Sequence, residues 1–223
     1  MAAATNISGG EGVVPAAVRT RLAEERDVPR LMQIVNWAYR GTDPTAAAEE
    51  AKEARPNRAW TTESHLVAGL RTTVDELRRL VASDPARAAF FVAEVATHDG
   101  AAEGGKEKEE EQWDVAGCVL VEKADDGGHL GMFAVDPARQ ALGLGRRLMA
   151  EGEAHIWEVF GCEAVVLHVV SVRPELLAYY QRRGYVDTNQ TEPFPASVYK
   201  PLVPEDLYFR ILKKYRTATA TAQ

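Results

Sequence analysis

The stretch from Gly131 to Gly161 constrains the fold more than any other part of the chain. Met132 to Val135 is a short apolar run closed by Asp136-Pro137, the pattern of a buried strand ending in a turn. After a brief loop, Leu144, Leu148, Gly152, Ile156 and Val159 recur at helical spacing, and Gly161 stands where a C-terminal cap belongs. The unit is strand, tight loop, helix. Gln140, Ala141, Leu142, Gly143, Leu144 and Gly145 form the turn, where two glycines let the backbone bend sharply and keep Cβ atoms away from a ligand. The unpaired N–H groups of the first helical turn then point outward at the positive end of the dipole. Such a helix start seats a phosphate or pyrophosphate.

Three phosphate loops compete for this pattern. A dinucleotide fingerprint needs a third glycine where the chain has Leu148. A Walker loop needs Gly-Lys-Ser/Thr, and Gly145 is followed by Arg146-Arg147. The third, Gln/Arg-x-x-Gly-x-Gly/Ala, is satisfied by Gln140, Gly143 and Gly145. An ordinary loop whose glycines only ease packing would share it, so a second signal has to decide. That signal lies downstream of the apolar strand Ala164 to Val170. Pro174, Glu175 and Gly184 delimit a short helix by its start, first turn and end, and it closes on Tyr180-x-x-x-Gly184-Tyr185. In order and spacing the two signatures resemble those of the GNAT superfamily of acetyl-CoA-dependent N-acetyltransferases. The resemblance runs from about Val18 to Lys214 and is strongest from Val115 to Val186. One departure stands out: many relatives carry asparagine seven positions before the tyrosine, and this chain has Arg173.

Composition bounds the rest. A length of 223 residues allows one domain with a full core, and 46% apolar with 26% charged residues suits a globule. No run approaches the ~20 apolar residues that cross a bilayer. The N-terminus lacks the basic start and apolar centre of a secretory signal. Cys118 and Cys162 do not suggest a disulfide framework, and reduced thiols in the cytoplasm fit better. A net charge of −7 argues against nucleic acid as partner. Residues 98–112 read as a flexible acidic loop insertion in a domain spanning 17–214. Residues 1–16 and 215–223 read as a disordered N-terminal tail and a C-terminal tail.

Local signals fill in the element order. Asp27 caps a first helix, and Thr73 to Glu76 reads as a capping box opening a second. Asp125 to Gly128 is a hairpin turn, and a strand is expected around Tyr185 to Asp187. The order predicts one α/β (α+β) domain: a mixed, mostly antiparallel central sheet flanked by helices.

The resemblance implies direct transfer of an acetyl group from acetyl-CoA, as co-substrate, to a primary amine, without a metal. The chain has no Gly-x-Ser-x-Gly, which suits transfer without an acyl-enzyme. In the family the strands before and after the central hairpin splay apart. The pantetheine arm lies in the gap, pairing with backbone around Phe133, Ala134 and Val135. The pyrophosphate takes the N–H groups from Ala141 to Arg146, and Arg146 or Arg147 adds charge. Tyr180 matches the tyrosine that protonates the departing thiolate, while Tyr179, about 100° away on the helix, points elsewhere. Candidates for deprotonating the amine are Glu122, at the end of a central strand, and Glu63, in the segment Trp60 to Arg71. His168 is a third, which would otherwise be an ordinary buried histidine. The acceptor expected is a small-molecule amine. A protein or peptide acceptor and a non-catalytic acyl-CoA-binding module remain the alternatives, and a homodimer is compatible with either.

Overall fold

Near-continuous apolar runs on the central strands oblige the chain to bury both faces of one sheet. In the computed structural model, which describes residues 17–41, 62–97, 112–139, 142–195, 200–203 and 206–217, that sheet has seven strands. They are β1 (Val18–Leu22), β3 (Ala88–Thr97), β4 (Gln112–Ala124), β5 (Gly127–Val135), β6 (Ala164–Val170), β7 (Val186–Pro193) and β9 (Tyr208–Tyr215). Their spatial order is β1-β3-β4-β5-β6-β9-β7. Every neighbouring pair is antiparallel except β5 and β6. Two short strands, β2 (Val67–Ala68) and β8 (Lys200–Pro201), pair separately as a ribbon. The mixed, mostly antiparallel architecture is the one the sequence predicts.

Helices α1 (Val28–Arg40) and α2 (Val74–Val81) cover one face. Leu31, Ile34, Val35 and Leu77 pack there on Phe90, Val92, Cys118 and Leu120. Helices α3 (Leu144–Glu158) and α4 (Pro174–Gln181) cover the other face. Leu148, Ile156 and Leu177 pack there on Phe91, Val119, Val121 and Val165. Covered on both sides, β3 is buried along nearly its whole length. A third, smaller cluster joins Leu66 and Val67 to Val170 and Leu207 beneath the ribbon.

Several local expectations are corrected. The turn read over Asp125 to Gly128 is tighter than that, since β5 already begins at Gly127. Gly128 is a packing glycine, because a Cβ there would overlap the Ile156 side chain of α3. Asp27 precedes α1 without capping it, since its carboxylate is held by Arg21 and by the Glu24 N–H. Thr73 caps α2 by accepting from the Glu76 N–H at 3.3 Å, but the Glu76 carboxylate turns to the Thr72 hydroxyl at 2.8 Å, so only half the capping box forms. The strand expected near Tyr185 to Asp187 extends to Pro193 through an irregularity at Asn189, φ 59°.

The feature that positions the site is an interruption of the sheet. β5 and β6 pair only at Gly128–Val165 and His129–Val166, then part. The gap therefore lies between the hairpin's second strand and the strand after it, rather than on both sides of the hairpin. Opposite the gap, the register of β4 and β5 shifts between Cys118 and Leu120. Met132 and Phe133 face the single residue Val119 there, and Met132 takes φ 40°. This is a β-bulge, and a positive φ outside glycine costs about 1–3 kcal/mol. Beyond His129, the backbone edge of β5 that faces β6 has no strand to pair with among the described residues.

Candidate active site

At one end of the gap the chain leaves β5 through Asp136, which is buried against Arg30 of α1 and accepts from the Ala138 N–H at 2.8 Å. This fixes the entry to the glycine loop. Gln140 and Ala141, both expected to bind the cofactor, lie outside the described residues. Leu142 is exposed, and Gly143 is the N-cap of α3 at φ 73° with no side-chain capping bond. The left-handed conformation accounts for that glycine. Gly145 has a different reason from the one expected. A Cβ there would stand 3.1 Å from the Phe133 ring, so close packing of α3 on β5 requires it. The Leu144 side chain is buried, leaving only its backbone to face an anion. Arg146 is exposed beside it, whereas Arg147 turns back to donate to the Val18 carbonyl at 3.1 Å and does not serve the helix start.

At the other end lies a cavity of about 330 Å³, walled by residues of α1, β5, β6 and α4. Tyr180, Glu122, Glu63, His168 and Phe133 all line it, although they come from five separate segments. Ala134 and Val135 continue β5 past the cavity toward the glycine loop, Ala134 buried and Val135 half-buried. Trp60 lies outside the described residues. Glu63 is not on a helix: it opens a turn that leads into β2, its carbonyl accepting from the Leu66 N–H at 2.8 Å. Gly41, at φ 76°, ends α1. The Glu63 N–H then donates to the Tyr39 carbonyl at 2.8 Å, so the carboxylate hangs from the end of α1. Arg40 holds it at 3.4 Å, with both side chains largely buried. Glu122 is exposed at the rim, opposite His129 in register, and its carboxylate has no hydrogen-bond partner among the described residues.

Tyr180 is buried and its hydroxyl has no hydrogen-bond partner among the described residues. Burial pushes its phenol well above the usual tyrosine range, and the neighbouring Tyr39 and Tyr179 reinforce this. Tyr179 is not in the cavity and lies under the Arg183 guanidinium, 3.4 Å from its ring centre. Arg173, in the place of the family's asparagine, is buried at the start of α4. It bonds Glu175 and donates to the Thr62 carbonyl at 2.9 Å. That contact joins residues 111 apart and anchors the segment carrying Glu63.

Sequence reasoning misses Tyr39. Its hydroxyl donates to the Phe133 carbonyl at 3.2 Å, inside the bulge, and burial raises it to about 12. Phe194 and Phe209 are missed as well; their rings lie 5.3 Å apart on the cavity wall. A helix-terminal tyrosine and two phenylalanines near prolines carry no local signal of a shared pocket.

The sequence profile described as the Acetyltransferase (GNAT) family matches residues 29–185, more than half of the chain. The chain belongs to this family. No match is found among curated proteins. Solved structures of similar fold include the PaiA N-acetyltransferase of Thermoplasma acidophilum in complex with coenzyme A, 13% identical with a TM-score of 0.52, covering 90% of this chain and 99% of that one. The ribosomal-protein-S18-alanine N-acetyltransferase of Escherichia coli is 15% identical at 0.53, covering 93% and 99%. The spermidine/spermine N-acetyltransferase of Vibrio cholerae, in complex with manganese ions, is 12% identical at 0.53, covering 89% and 92%. At these identities the likeness concerns the fold. Within it, this GNAT chain places a sheet opening between an uncapped helix start and a cavity lined by tyrosine and carboxylates. Among the described residues no helix is long and apolar enough to cross a membrane, and no three His, Cys, Asp or Glu side chains gather as metal ligands.

Proposed function

We propose that the protein moves an acetyl group from acetyl-CoA to the primary amine of a small molecule, by direct attack within a ternary complex. The observation that carries this reading is the gap between β5 and β6, with the uncapped α3 start at one end and the cavity at the other. The residues present fit acetyl-CoA. The β5 edge around Phe133 to Val135, with no strand beside it among the described residues, offers backbone groups to an amide-bearing pantetheine arm. The N–H groups of Leu144 to Arg146 are open to a pyrophosphate, with no side-chain capping bond among the described residues. Acetyl-CoA supplies the activated thioester; the protein supplies position and protons.

Tyr180 gives its proton to the departing thiolate. Burial keeps its phenol protonated at neutral pH, so that a proton is in place when the thiolate departs. Tyr39 holds the bulged Phe133 carbonyl, and so fixes the strand edge against which the thioester would lie. Glu122, without a hydrogen-bond partner among the described residues, supplies negative charge at the rim that draws an amine in, and Glu63, held by Arg40, offers a hydrogen-bond acceptor on the cavity wall. A cavity of about 330 Å³ with aromatic walls, within the usual range for small ligands, supports the small-molecule acceptor. Two unpaired cysteines suit a reducing compartment, and we propose the cytoplasm as the site of action.

The test incubates the full-length protein with acetyl-CoA and a small-molecule extract of its source cells, read by untargeted mass spectrometry. A metabolite that gains an acetyl group with wild-type protein but not with Tyr180→Phe is the expected result. Acetylation confined to protein lysines or N-termini in a matched lysate would replace the small molecule by a protein acceptor. Binding of acetyl-CoA without transfer to anything would overturn the enzymatic reading.

A further inference from the structure

An amine reaches the cavity mostly as ammonium and must lose a proton before its nitrogen can attack. Two imidazoles stand where that proton would go. His129 is the last residue of β5 paired with β6, and His168 lies two residues beyond its counterpart Val166, so both project on the same face at the apex of the gap. Both line the cavity, with ring centroids 5.0 Å apart. Behind each ring is a carboxylate: His129 Nε2 is 2.7 Å from Asp126, and His168 Nε2 is 3.2 Å from Glu192. An ionised carboxylate only accepts hydrogen bonds, so Nε2 carries the hydrogen in both rings and Nδ1 is left as the basic nitrogen. Neither Nδ1 has a hydrogen-bond partner among the described residues. The imidazoles are 31% and 24% exposed and the two carboxylates 50% and 59%, which makes a graded path from cavity to solvent.

We infer that His168 takes the proton of the acceptor ammonium on Nδ1 and releases the one on Nε2 to solvent past Glu192, with His129 as the like-charged neighbour beside it, an assignment that rests on the acetyl-transfer reading above. Of the two protons the nitrogen sheds on becoming an amide, the first passes to Nδ1 of His168, whose Nε2 proton leaves past Glu192. The second leaves the nitrogen once the new N–C bond has formed and goes to the Tyr180 phenolate, replacing the proton that Tyr180 gives to the thiolate as the C–S bond breaks. The groups facing the pair are Glu122 on β4, Asp126 in the hairpin turn, Glu192 on β7 and Lys213 on β9. Lys213 bonds Asp126 at 3.2 Å, and the Arg40–Glu63 pair and Arg71 stand on the cavity wall. Burial holds His168 below the usual histidine value; Glu192 opposes this and His129 adds to it. The ring is therefore neutral, and able to accept, at neutral pH.

The test uses full-length protein, with acetyl-CoA and three probe acceptors: spermidine, phosphinothricin and a peptide beginning with alanine. kcat/KM is followed from about pH 4.5 to about pH 9, reaching well below the ordinary imidazole value. The ring Cε1–H signals are titrated by NMR in parallel. In the wild type, the acid limb of kcat/KM follows the His168 titration. His129→Gln removes a like charge, so both move to higher pH together. His168→Gln and His168→Asn lower kcat/KM roughly 100-fold near neutrality with acetyl-CoA affinity unchanged, and the loss shrinks as rising pH supplies free amine. Full neutral-pH activity in the His168 variants, or a loss equal at every pH, overturns the inference, as does an acid limb removed by Glu122→Gln instead. A wild-type protein inert toward every amine at every pH is a separate outcome, and sinks the acetyl-transfer reading itself.

Discussion

Along the gap in the sheet, the cofactor end and the acceptor end are built differently. At the cofactor end, one continuous segment of chain makes the bulged strand, the glycine loop and the α3 start, so its geometry is set by backbone conformation at Met132 and Gly143. At the acceptor end, Tyr39, Glu63, Glu122, His168 and Tyr180 meet from separate elements, held by contacts such as Arg173 to Thr62 and Arg40 to Glu63. Backbone geometry tolerates many side chains and breaks sharply when a dihedral angle is forbidden. A wall assembled from side chains changes by degrees.

The largest effect is expected from Gly143→Val, which puts a β-branched residue at φ 73° and distorts the helix start. Calorimetry should show acetyl-CoA binding weakened by on the order of 100-fold while the fold survives, since left-handed strain costs about 1–2 kcal/mol and the displaced N–H groups add more. Unchanged affinity would mean that the cofactor end does not depend on that turn. Tyr180→Phe should lower kcat roughly 100-fold and leave acetyl-CoA affinity within about twofold. A parallel loss of both would put Tyr180 in packing instead of proton transfer. Gly128→Ala forces a methyl group into Ile156 and should destabilise by about 1–3 kcal/mol, a drop of roughly 2–12 °C in Tm by calorimetry. The smallest effect belongs to Glu63→Gln: a rise of roughly three- to tenfold in acceptor KM, with acetyl-CoA binding untouched. If this change instead abolished turnover, the acceptor end would hinge on one residue as the cofactor end does.

The same contrast explains what can be read from the sequence. The strand-loop-helix unit and the tyrosine helix are legible because each is short, contiguous and marked by glycine or proline. The glycines themselves mislead in two places. Gly128 looks like a turn residue and Gly145 like ligand clearance, but both are glycines because another element packs against them, and a one-letter pattern does not separate these reasons. Glu63, Glu122 and Tyr180 each stand out in their own segments, yet nothing local says that they share a cavity. Tyr39 is legible only as the end of an amphipathic helix. Its place in the site depends on Gly41 turning the chain and on the bulge at Phe133, which is 94 residues away. The parting of β5 from β6 is likewise a property of the assembled sheet and belongs to no single segment.

The ribbon of β2 and β8 has a consequence for how such a protein can change. Pairing Val67 with Pro201 and Ala68 with Lys200 ties the stretch that follows Glu63 to the stretch that follows Phe194. The two walls are thus tied as one unit, and replacing either alone leaves mismatched side-chain packing beneath the seam, where Leu66 and Val67 meet Phe194 and Val203. Lineages of this chain that acquire a new acceptor should show paired substitutions across that seam, and grafting a foreign specificity should succeed only when both partners are exchanged together.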